Sequence, residues 1–197
     1  MTTEIEAKFL DINHDTIRLR LLSAGAVMAI PMRTMSRTLF DYPDGRLKMD
    51  KAGRIRIRDE GDKVTMCFKS GVAGEYEQEL ETSVASFSTA CQVMEAIGLE
   101  AYSSQESKRE TWQCTGVEVV LDIWPWLNPY IEIEGETEVA IKNCARSLGL
   151  DWKNAKFGNI DVAYRHQYAH FNDADTIGKI KKLTFEGAIP SFLAQRQ

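Results

Sequence analysis

The chain has 197 residues, 44% of them hydrophobic, which is enough to bury one substantial core without requiring a second domain. Its formal net charge is −5 and its sequence pI is about 5.3, whereas proteins that bind nucleic acids or membrane surfaces usually carry a basic excess. The composition therefore excludes a general nucleic-acid or membrane-surface binder, and no such partner is expected.

The cysteines and the N-terminus indicate the compartment. The four cysteines are too widely spaced for a zinc knuckle or a redox motif, so we predict reduced thiols at Cys67, Cys91, Cys114 and Cys144. The N-terminus is charged from Glu4 onward, and no apolar run approaches the length of a signal peptide core or a membrane span. We therefore expect a cytoplasmic protein.

Alternating charged and apolar residues recur along the chain, and this period of two predicts strands with two chemically different faces. The clear segments are residues 4–9, 54–58, 63–69, 75–81, 118–123 and 130–134, and the weaker ones are residues 37–41 and 108–112. The segments on either side of Gly61 are predicted to form a hairpin. The predicted number of strands is therefore about eight.

Helical spacing of apolar residues lies between these strands. It predicts helices over residues 17–22, 87–97, 137–148 and about 160–170, the first three ending near Gly25, Gly98 and Gly149. No linker interrupts the pattern before a tail that begins near Asn172. The sequence therefore predicts one α+β domain over residues 1–172 and a C-terminal extension of uncertain structure over residues 173–197.

Charges of one sign cluster along single strands. Arg54, Arg56 and Arg58 share one strand face, and same-face neighbours lie roughly 7 Å apart. Each such pair repels by roughly 0.6 kcal/mol in bulk water and by about 2.4 kcal/mol at an effective dielectric of 20. An ordinary sheet with a solvated face, or with salt bridges between strands, explains part of this pattern. The chain has more carboxylates than such salt bridges would use, and the excess carboxylates are suited to binding cations.

Eight strands can close into a barrel whose interior holds side chains or one small ligand. Helices on the apolar outer face would leave the charged faces pointing inward, where carboxylates suit Mg²⁺ or Mn²⁺ and Arg and Lys suit phosphate. We therefore predict an eight-stranded antiparallel β-barrel, with helices packed on the outside, that binds a divalent metal together with phosphate.

The N-terminal motif Glu4-x-Glu6-x-Lys8 resembles the ExExK signature of the CYTH domain. This superfamily, also called the triphosphate tunnel metalloenzymes, includes class IV adenylate cyclases and thiamine triphosphatases. Phe40-Asp41-Tyr42-Pro43 resembles the family's aromatic-Asp-Thr-Pro segment, with Tyr42 in place of threonine. The motifs that follow in family order, up to about residue 170, are Arg56-x-Arg58, Lys69, Glu77-x-Glu79, Arg109 with Trp112, Asp122, and Glu132-x-Glu134-Gly135.

The resemblance implies an eight-stranded antiparallel tunnel and assigns roles to particular residues. It implies metal ligands at Glu4, Glu6, Glu79, Asp122, Glu132 and Glu134, and phosphate contacts at Lys8, Arg56, Arg58, Lys69 and Arg109. Glu4, Glu6, Lys8 and Lys69 are the implied catalytic residues. Arg54, Lys108 and Glu77 are second choices.

Four hypotheses for the function follow. We favour a Mg²⁺- or Mn²⁺-dependent triphosphatase acting on inorganic, nucleoside or thiamine triphosphate, because the alternation places most aromatic residues outward, whereas a nucleotide base would need an apolar or stacking pocket. Phosphoryl transfer itself needs charge neutralisation and positioning more than covalent chemistry, so a metal cluster facing Arg and Lys is sufficient for it. The alternatives are an adenylate cyclase that releases pyrophosphate from ATP, a non-catalytic binder of polyphosphate or nucleotides, and an ordinary salt-bridged sheet. The substrate and the oligomeric state do not follow from the sequence.

Three groups outside these motifs have plain structural explanations. His14, His166 and His170 are expected to be surface or interface histidines. Tyr164 and Tyr168 are interpreted as either plugging a tunnel mouth or packing a helix. The basic run at residues 179–182 is predicted to be solvated, with a lid over a bound anion as the alternative.

Overall fold

The computed structural model describes residues 5–51, 53–70, 78–171 and 176–194. The described strands are β1 (Ile5–Phe9), β2 (Val27–Asp41), β3 (Arg54–Asp59), β4 (Val64–Ser70), β5 (Gln78–Val84), β6 (Glu100–Cys114), β7 (Val117–Ile123), β8 (Tyr130–Gly135) and β9 (Lys182–Leu183). The described helices are α1 (His14–Ser23), α2 (Arg46–Lys51), α3 (Phe87–Ala96), α4 (Glu138–Ser147), α5 (Asp161–Gln167) and α6 (Ser191–Ala194). Glu4, Glu75 and Glu77, which carry predicted strand or site assignments, lie outside the described residues.

Eight of the described strands follow the order β1-β8-β7-β6-β2-β3-β4-β5, and β9 pairs in parallel with β6. The following pairs are antiparallel: β1–β8, β8–β7, β7–β6, β2–β3, β3–β4 and β4–β5. The predicted fold class, α+β with eight antiparallel strands and additional helices, is confirmed. None of the described helices combines the length and apolar character needed to cross a membrane.

Several predicted strands have different bounds in the structure. β2 begins at Val27 and β6 at Glu100, both well before the predicted segments, and β5 spans Gln78–Val84. The first half of β2 contains Pro31 and few charges, so it lacks the alternation on which the prediction rested. Charge alternation therefore predicted only those parts of β2 and β6 in which charged and apolar residues alternate.

Helix α2 was not predicted from the sequence. It follows the Phe40-Asp41-Tyr42-Pro43 motif, and the Asp41 carboxylate accepts hydrogen bonds from the backbone N–H groups of Tyr42 (2.7 Å), Leu47 (3.0 Å) and Lys48 (3.3 Å). These bonds satisfy amide groups at the start of the helix that have no partner within it. The family-like motif therefore has a structural role in holding α2.

The described residues divide into two compact units. Of the described residues, the first unit contains 34–51, 53–70, 78–106 and 176–187, and the second contains 5–33, 107–171 and 188–194. In the first unit, α3 packs on β3 and β4, and its N-terminus is capped by the Ser86 hydroxyl, which accepts from Thr89 N. The core of this unit contains Phe40, Ile57 and Met94.

The second unit buries its apolar residues where α1 and α4 cover β1, β7 and β8. Its core includes Phe9, Leu21, Leu121, Ile133 and Ile141, each at most 2% exposed. The Thr137 hydroxyl caps α4 by accepting from Ala140 N at 3.2 Å. The predicted arrangement of helices on the apolar strand faces is present in both units.

The C-terminal stretch contributes to the first unit through β9. The Ser103 hydroxyl donates to the Ile180 carbonyl at 2.6 Å, and Ile177, Ile180 and Leu183 are buried. The side chains of the basic run at Lys179, Lys181 and Lys182 are exposed, as the solvated interpretation predicts. A domain boundary near residue 172 stays a prediction, since residues 172–175 lie outside the described ranges.

Candidate functional site

Charged side chains of β1, β7 and β8 share one strand face in the second unit. Glu6 pairs with Glu134 and Lys8 with Glu132 across β1 and β8, so these four side chains point the same way. The intervening residues, such as Ala7 and Ile133, belong to the apolar core on the opposite face. The period of two in the sequence therefore separates a charged face from a helix-covered face.

Three carboxylates on this face form a compact group. One carboxylate oxygen from each of Glu6, Glu132 and Glu134 lies within 4.8 Å of the other two. Carboxylate oxygens are hard ligands of the kind that Mg²⁺ and Mn²⁺ prefer. The donor set therefore fits one divalent cation, and three of the six metal ligands implied by the family resemblance are brought together here.

Lys8 is buried among these carboxylates. Its side chain is 2% exposed, and its Nζ lies 2.5 Å from Glu6 Oε1 and 3.2 Å from Glu132 Oε1. Burial disfavours the ammonium ion, but the Glu132 and Glu6 carboxylates outweigh that effect and raise the pKa of Lys8. Lys8 therefore stays charged and counters two of the three carboxylates.

Arg109 on β6 holds the neighbouring carboxylate, Asp122. Its Nε donates to Asp122 Oδ1 at 2.8 Å and its Nη2 to Asp122 Oδ2 at 2.6 Å, while Nη2 also reaches Glu132 Oε2 at 2.9 Å. Asp122 is thus held in a bidentate ion pair, and it lies outside the three-carboxylate group. Whether it binds metal, as the resemblance implies, stays a prediction.

Glu132 and Glu134 have opposite pKa shifts. Burial alone raises the pKa of Glu132, but Lys8 and Arg109 reverse the shift and bring it to about 2. Burial, together with the negative charges of Glu132, Glu6 and Glu118, raises the pKa of Glu134 to about 8. The metal-free group therefore holds a proton on Glu134 near neutral pH, and a divalent cation would displace it.

The first unit carries a second charged face, on β3, β4 and β5. Across β3 and β4, Arg54 pairs with Lys69 and Arg56 with Cys67, and Lys69 in turn pairs with Glu79 on β5. These side chains share one face because cross-strand partners point the same way. The alternation thus places the second-choice residue Arg54 beside the predicted phosphate ligand Lys69.

The cations of this face are engaged by its carboxylates. Lys69 Nζ lies 2.7 Å from Glu79 Oε2, and Arg56 Nη2 lies 3.5 Å from Glu79 Oε1 and 3.3 Å from Glu81 Oε2. Arg58 Nη2 lies 2.5 Å from Glu60 Oε1 and 3.8 Å from Glu81 Oε2. Salt bridges between strands, weighed above as a structural alternative, are therefore real in this unit.

The comparison with family models decides the family. The model of the CYTH domain matches residues 2–155, more than half of the chain. The chain belongs to the CYTH domain family. Its enzymes act on triphosphate substrates and typically use divalent metals, and the resemblance inferred from the motifs is confirmed.

Solved structures share the CYTH fold at low sequence identity. The PH1012 protein of Pyrococcus horikoshii OT3 has a TM-score of 0.64 and 21% identity, covering 78% of this chain and 94% of that one. A candidate adenylate cyclase from Vibrio parahaemolyticus has a TM-score of 0.72 and 14% identity, covering 82% and 97%.

A third similar structure is an adenylyl cyclase candidate from Hippeastrum, described as having a dominant triphosphatase activity. It has a TM-score of 0.58 and 14% identity, covering 85% of this chain and 96% of that one. At such identities the likeness shows the fold alone. No curated protein matches the chain.

Within this CYTH chain, the structure divides the predicted site residues between the two units. Glu6, Lys8, Arg109, Asp122, Glu132 and Glu134 lie together in the second unit, whereas Arg56, Arg58, Lys69 and Glu79 lie together in the first. Lys108, a second choice, is opposite Ile123 and lies on the other face of β6 from Arg109. Glu4 and Glu77 lie outside the described residues.

Two side chains on the charged faces were missed from the sequence. Cys67 donates its thiol hydrogen to Glu79 Oε1 at 2.8 Å, and burial is the main reason that the pKa of Cys67 rises to about 12. Tyr130 donates its hydroxyl to Asp122 Oδ2 at 3.1 Å. Both share strand parity with predicted ligands, Lys69 and Glu132, so extending the alternation to uncharged residues would have identified them.

The histidine prediction needs one correction. His14 is 7% exposed, and its Nε2–H donates to the Tyr130 carbonyl at 2.9 Å, so it is buried. It begins α1 on the face that packs against the sheet, and sequence periodicity alone did not show this. His166 Nε2 lies 2.7 Å from Asp11 Oδ2, and His170 Nε2 lies 2.5 Å from the Phe192 carbonyl.

Tyr164 in α5 and Tyr168, the residue that follows this helix, bind the loop between β7 and β8. Tyr164 donates to the Pro125 carbonyl at 2.7 Å, and Tyr168 donates to the Trp126 carbonyl at 2.5 Å. Trp126 has a φ of 60°, a conformation rare for residues other than glycine. The tyrosines therefore pack the helix and hold this strained loop, which favours the helix-packing alternative.

Proposed function

We propose that the chain is a divalent-metal-dependent triphosphatase that hydrolyses a phosphoanhydride bond of a triphosphate-bearing molecule. The observation that carries the proposal is the group of Glu6, Glu132 and Glu134, with Lys8 and Arg109 in contact with it. Such a site offers oxygen ligands for a cation and, beside them, cationic donors for phosphate oxygens. Membership of the CYTH family supports this chemistry.

Glu6, Glu132 and Glu134 are proposed to hold Mg²⁺ or Mn²⁺. The bound ion would neutralise phosphate charge and lower the pKa of a coordinated water. Glu132 is ready to bind a cation because its low pKa keeps it ionised, whereas Glu134 must first lose a proton. The resemblance adds Glu4, Glu79 and Asp122 to the ligand set as further predictions.

Lys8 and Arg109 are proposed to bind phosphate oxygens beside the metal ligands. Both remain cationic, because neighbouring carboxylates keep their pKa values high despite burial. A guanidinium can donate two parallel hydrogen bonds to one phosphate, and this fixes its orientation as well as its charge. We propose the same role for Arg56, Arg58 and Lys69, which form ion pairs with Glu79 and Glu81 and whose side chains are 14%, 15% and 21% exposed.

Hydrolysis without a covalent intermediate suits these side chains. The Cys67 thiol is buried and its pKa is about 12, so it is neutral at physiological pH and a poor nucleophile. Phosphoryl transfer depends mainly on positioning and on neutralising charge, and the carboxylates, lysines and arginines of this chain supply both. We therefore favour direct attack by water over a phosphoenzyme route.

A panel of triphosphates tests the proposal. Purified protein with Mg²⁺ or Mn²⁺ is incubated with tripolyphosphate, thiamine triphosphate, ATP and GTP, and phosphate, pyrophosphate and cyclic AMP are all measured. We expect phosphate release from at least one substrate, strongly reduced in the Glu134→Gln variant. Cyclic AMP formed faster than phosphate would identify an adenylate cyclase instead, and binding without turnover would identify a polyphosphate or nucleotide binder.

A further inference from the structure

Tyr130 lies on the charged face of the second unit, directly across β7 and β8 from Asp122. Its hydroxyl oxygen is 3.1 Å from Asp122 Oδ2 and 3.5 Å from Glu132 Oε1. Tyr130 is 1% exposed, and the two carboxylates are 1% and 6% exposed. The phenol is therefore a buried donor placed between two acidic side chains.

Arg109 links the same two carboxylates through its own contacts. Its Nη2 donates to Asp122 Oδ2 at 2.6 Å and to Glu132 Oε2 at 2.9 Å. Asp122 Oδ2 thus accepts from both Arg109 and Tyr130, and each of these donors also reaches Glu132. Together the two donors fix the position of Asp122 relative to Glu132.

The backbone at Tyr130 is held by several hydrogen bonds. The backbone on either side of it accepts two hydrogen bonds, from His14 Nε2 to the Tyr130 carbonyl (2.9 Å) and from Ile12 N to the Pro129 carbonyl (2.9 Å). Tyr130 also begins β8, where its backbone pairs with β7. The hydroxyl is therefore presented from a rigid part of the chain.

We infer that Tyr130 is a positioning residue, whose hydroxyl orients Asp122 and Glu132 so that Glu132, with Glu6 and Glu134, is prepared to hold a divalent cation. The inference rests on the proposed metal site. A phenylalanine would fill the same space, so packing alone does not require the hydroxyl. The hydroxyl supplies a donor to buried carboxylates, and donors of this kind outside the ligand set control how metal ligands are oriented.

The Tyr130→Phe variant removes the hydroxyl and keeps the ring. Tyr164→Phe is the matched control, because Tyr164 is also a fully buried tyrosine of the second unit and donates its hydroxyl to a backbone carbonyl, that of Pro125. Each variant loses one buried hydrogen bond, but only Tyr130→Phe changes a bond to a carboxylate. Thermal unfolding of both variants checks that they fold.

The first measurement needs no metal. The ¹H–¹⁵N resonance of Arg109 Nε reports its bond to Asp122, and we expect it to shift in metal-free Tyr130→Phe and to stay in place in Tyr164→Phe. An unshifted resonance in Tyr130→Phe would overturn the claim that the hydroxyl positions Asp122. This result is independent of whether the protein binds a cation.

The second measurement is calorimetric titration with Mn²⁺. We expect the affinity of Tyr130→Phe to fall about 10-fold, the range found for residues that support metal ligands, and that of Tyr164→Phe to match the wild type. Equal Mn²⁺ affinity in all three proteins would overturn the inference and leave the metal site itself intact. Absence of Mn²⁺ binding to the wild type would contradict the proposed function instead, and the Arg109 resonance would then decide the role of Tyr130.

Discussion

Glu6 and Glu134 lie directly opposite each other on β1 and β8, with their carboxylates on the same face as that of Glu132. Like charges at directly opposed positions of a sheet destabilise it unless a counter-charge or a proton intervenes. Lys8 supplies a counter-charge through its contacts with Glu6 and Glu132. A proton on Glu134 removes the remaining repulsion, because burial and the neighbouring carboxylates raise the pKa of Glu134 to about 8. A divalent cation would replace that proton.

Stability of the metal-free protein should therefore depend on pH through Glu134. Its pKa is higher in the folded state, at about 8, than its ordinary value of 4.5, so the folded state binds the extra proton between these values. The contribution of Glu134 to the free energy of unfolding is complete below pH 4.5 and is lost as the pH rises through about 8. We expect a loss on the order of 5 kcal/mol over this window, since each pKa unit corresponds to about 1.4 kcal/mol.

Thermal unfolding in a chelator at several pH values measures this effect. The difference in unfolding free energy between wild type and Glu134→Gln isolates the Glu134 titration, since the amide does not ionise. The wild type should lose stability relative to the variant as the pH rises from 5 to 9. A constant difference across that range would contradict the raised pKa.

Arg56 is predicted to bind phosphate as well as its carboxylate partners, Glu79 and Glu81. We expect Arg56→Met to weaken tripolyphosphate binding at least about 10-fold, because a charge-assisted hydrogen bond contributes about 1.5–3 kcal/mol. Binding of Mn²⁺ alone should persist, since the proposed role of Arg56 is to hold phosphate. Isothermal titration with each ligand separates the two effects.

Lys63→Met is the control for this prediction. Lys63 is half-exposed in the turn between β3 and β4, and removing it deletes one positive charge from the same hairpin. Tripolyphosphate affinity should change little in this variant. Equal loss of affinity in both variants would mean that only the net charge matters. No loss in either variant would mean that Arg56 forms salt bridges but does not bind phosphate.

An ion pair between partly exposed Arg18 and buried Glu110 in the second unit should contribute to stability without affecting the metal site. Arg18 on α1 donates from Nε and Nη2 to the Glu110 carboxylate at 3.0 Å each, and the Glu110 side chain is 4% exposed. Arg18→Met leaves that carboxylate buried with only Trp112 Nε1 as a side-chain donor, at 2.7 Å, among the described contacts. We expect destabilisation of about 2 kcal/mol in urea unfolding.

Asp15→Asn is the matched control for the Arg18 experiment. Asp15 also pairs with Arg18, at 2.7 Å, but its side chain is 88% exposed, and exposed ion pairs contribute little. Its unfolding free energy should therefore stay close to that of the wild type. Equal destabilisation by the two substitutions would show that burial of Glu110 is not what makes the pair important.

The strands that were predicted well are those with charge alternation along most of their length. β3, β4, β7 and β8 were located to within about two residues because the alternating segments seen in the sequence cover nearly the whole of each strand. β2 and β6, at fifteen residues each, were seen only in part, since Pro31 and the polar residues at the start of β6 carry no such pattern. The length of these strands is decided by pairing across the sheet.

The candidate site was predictable in its residues but not in its pairings. The motifs selected Glu132, Glu134 and Arg109, yet the bidentate pair of Arg109 with Asp122 depends on the register of β6 and β7. Tyr130 carries no charge and therefore escaped a search based on charge. The register between strands is three-dimensional information that one sequence does not supply.

Calorimetric titration of Mn²⁺ into Glu134→Gln tests the central claim most directly. The amide keeps the shape of the side chain and removes a proposed ligand charge, so we expect Mn²⁺ binding to be lost or severely weakened. Glu136→Gln is the control, because Glu136 is exposed and lies two residues further along the chain. Wild-type binding that survives in Glu136→Gln and disappears in Glu134→Gln supports the metal site, whereas equal Mn²⁺ affinity in all three proteins would contradict it.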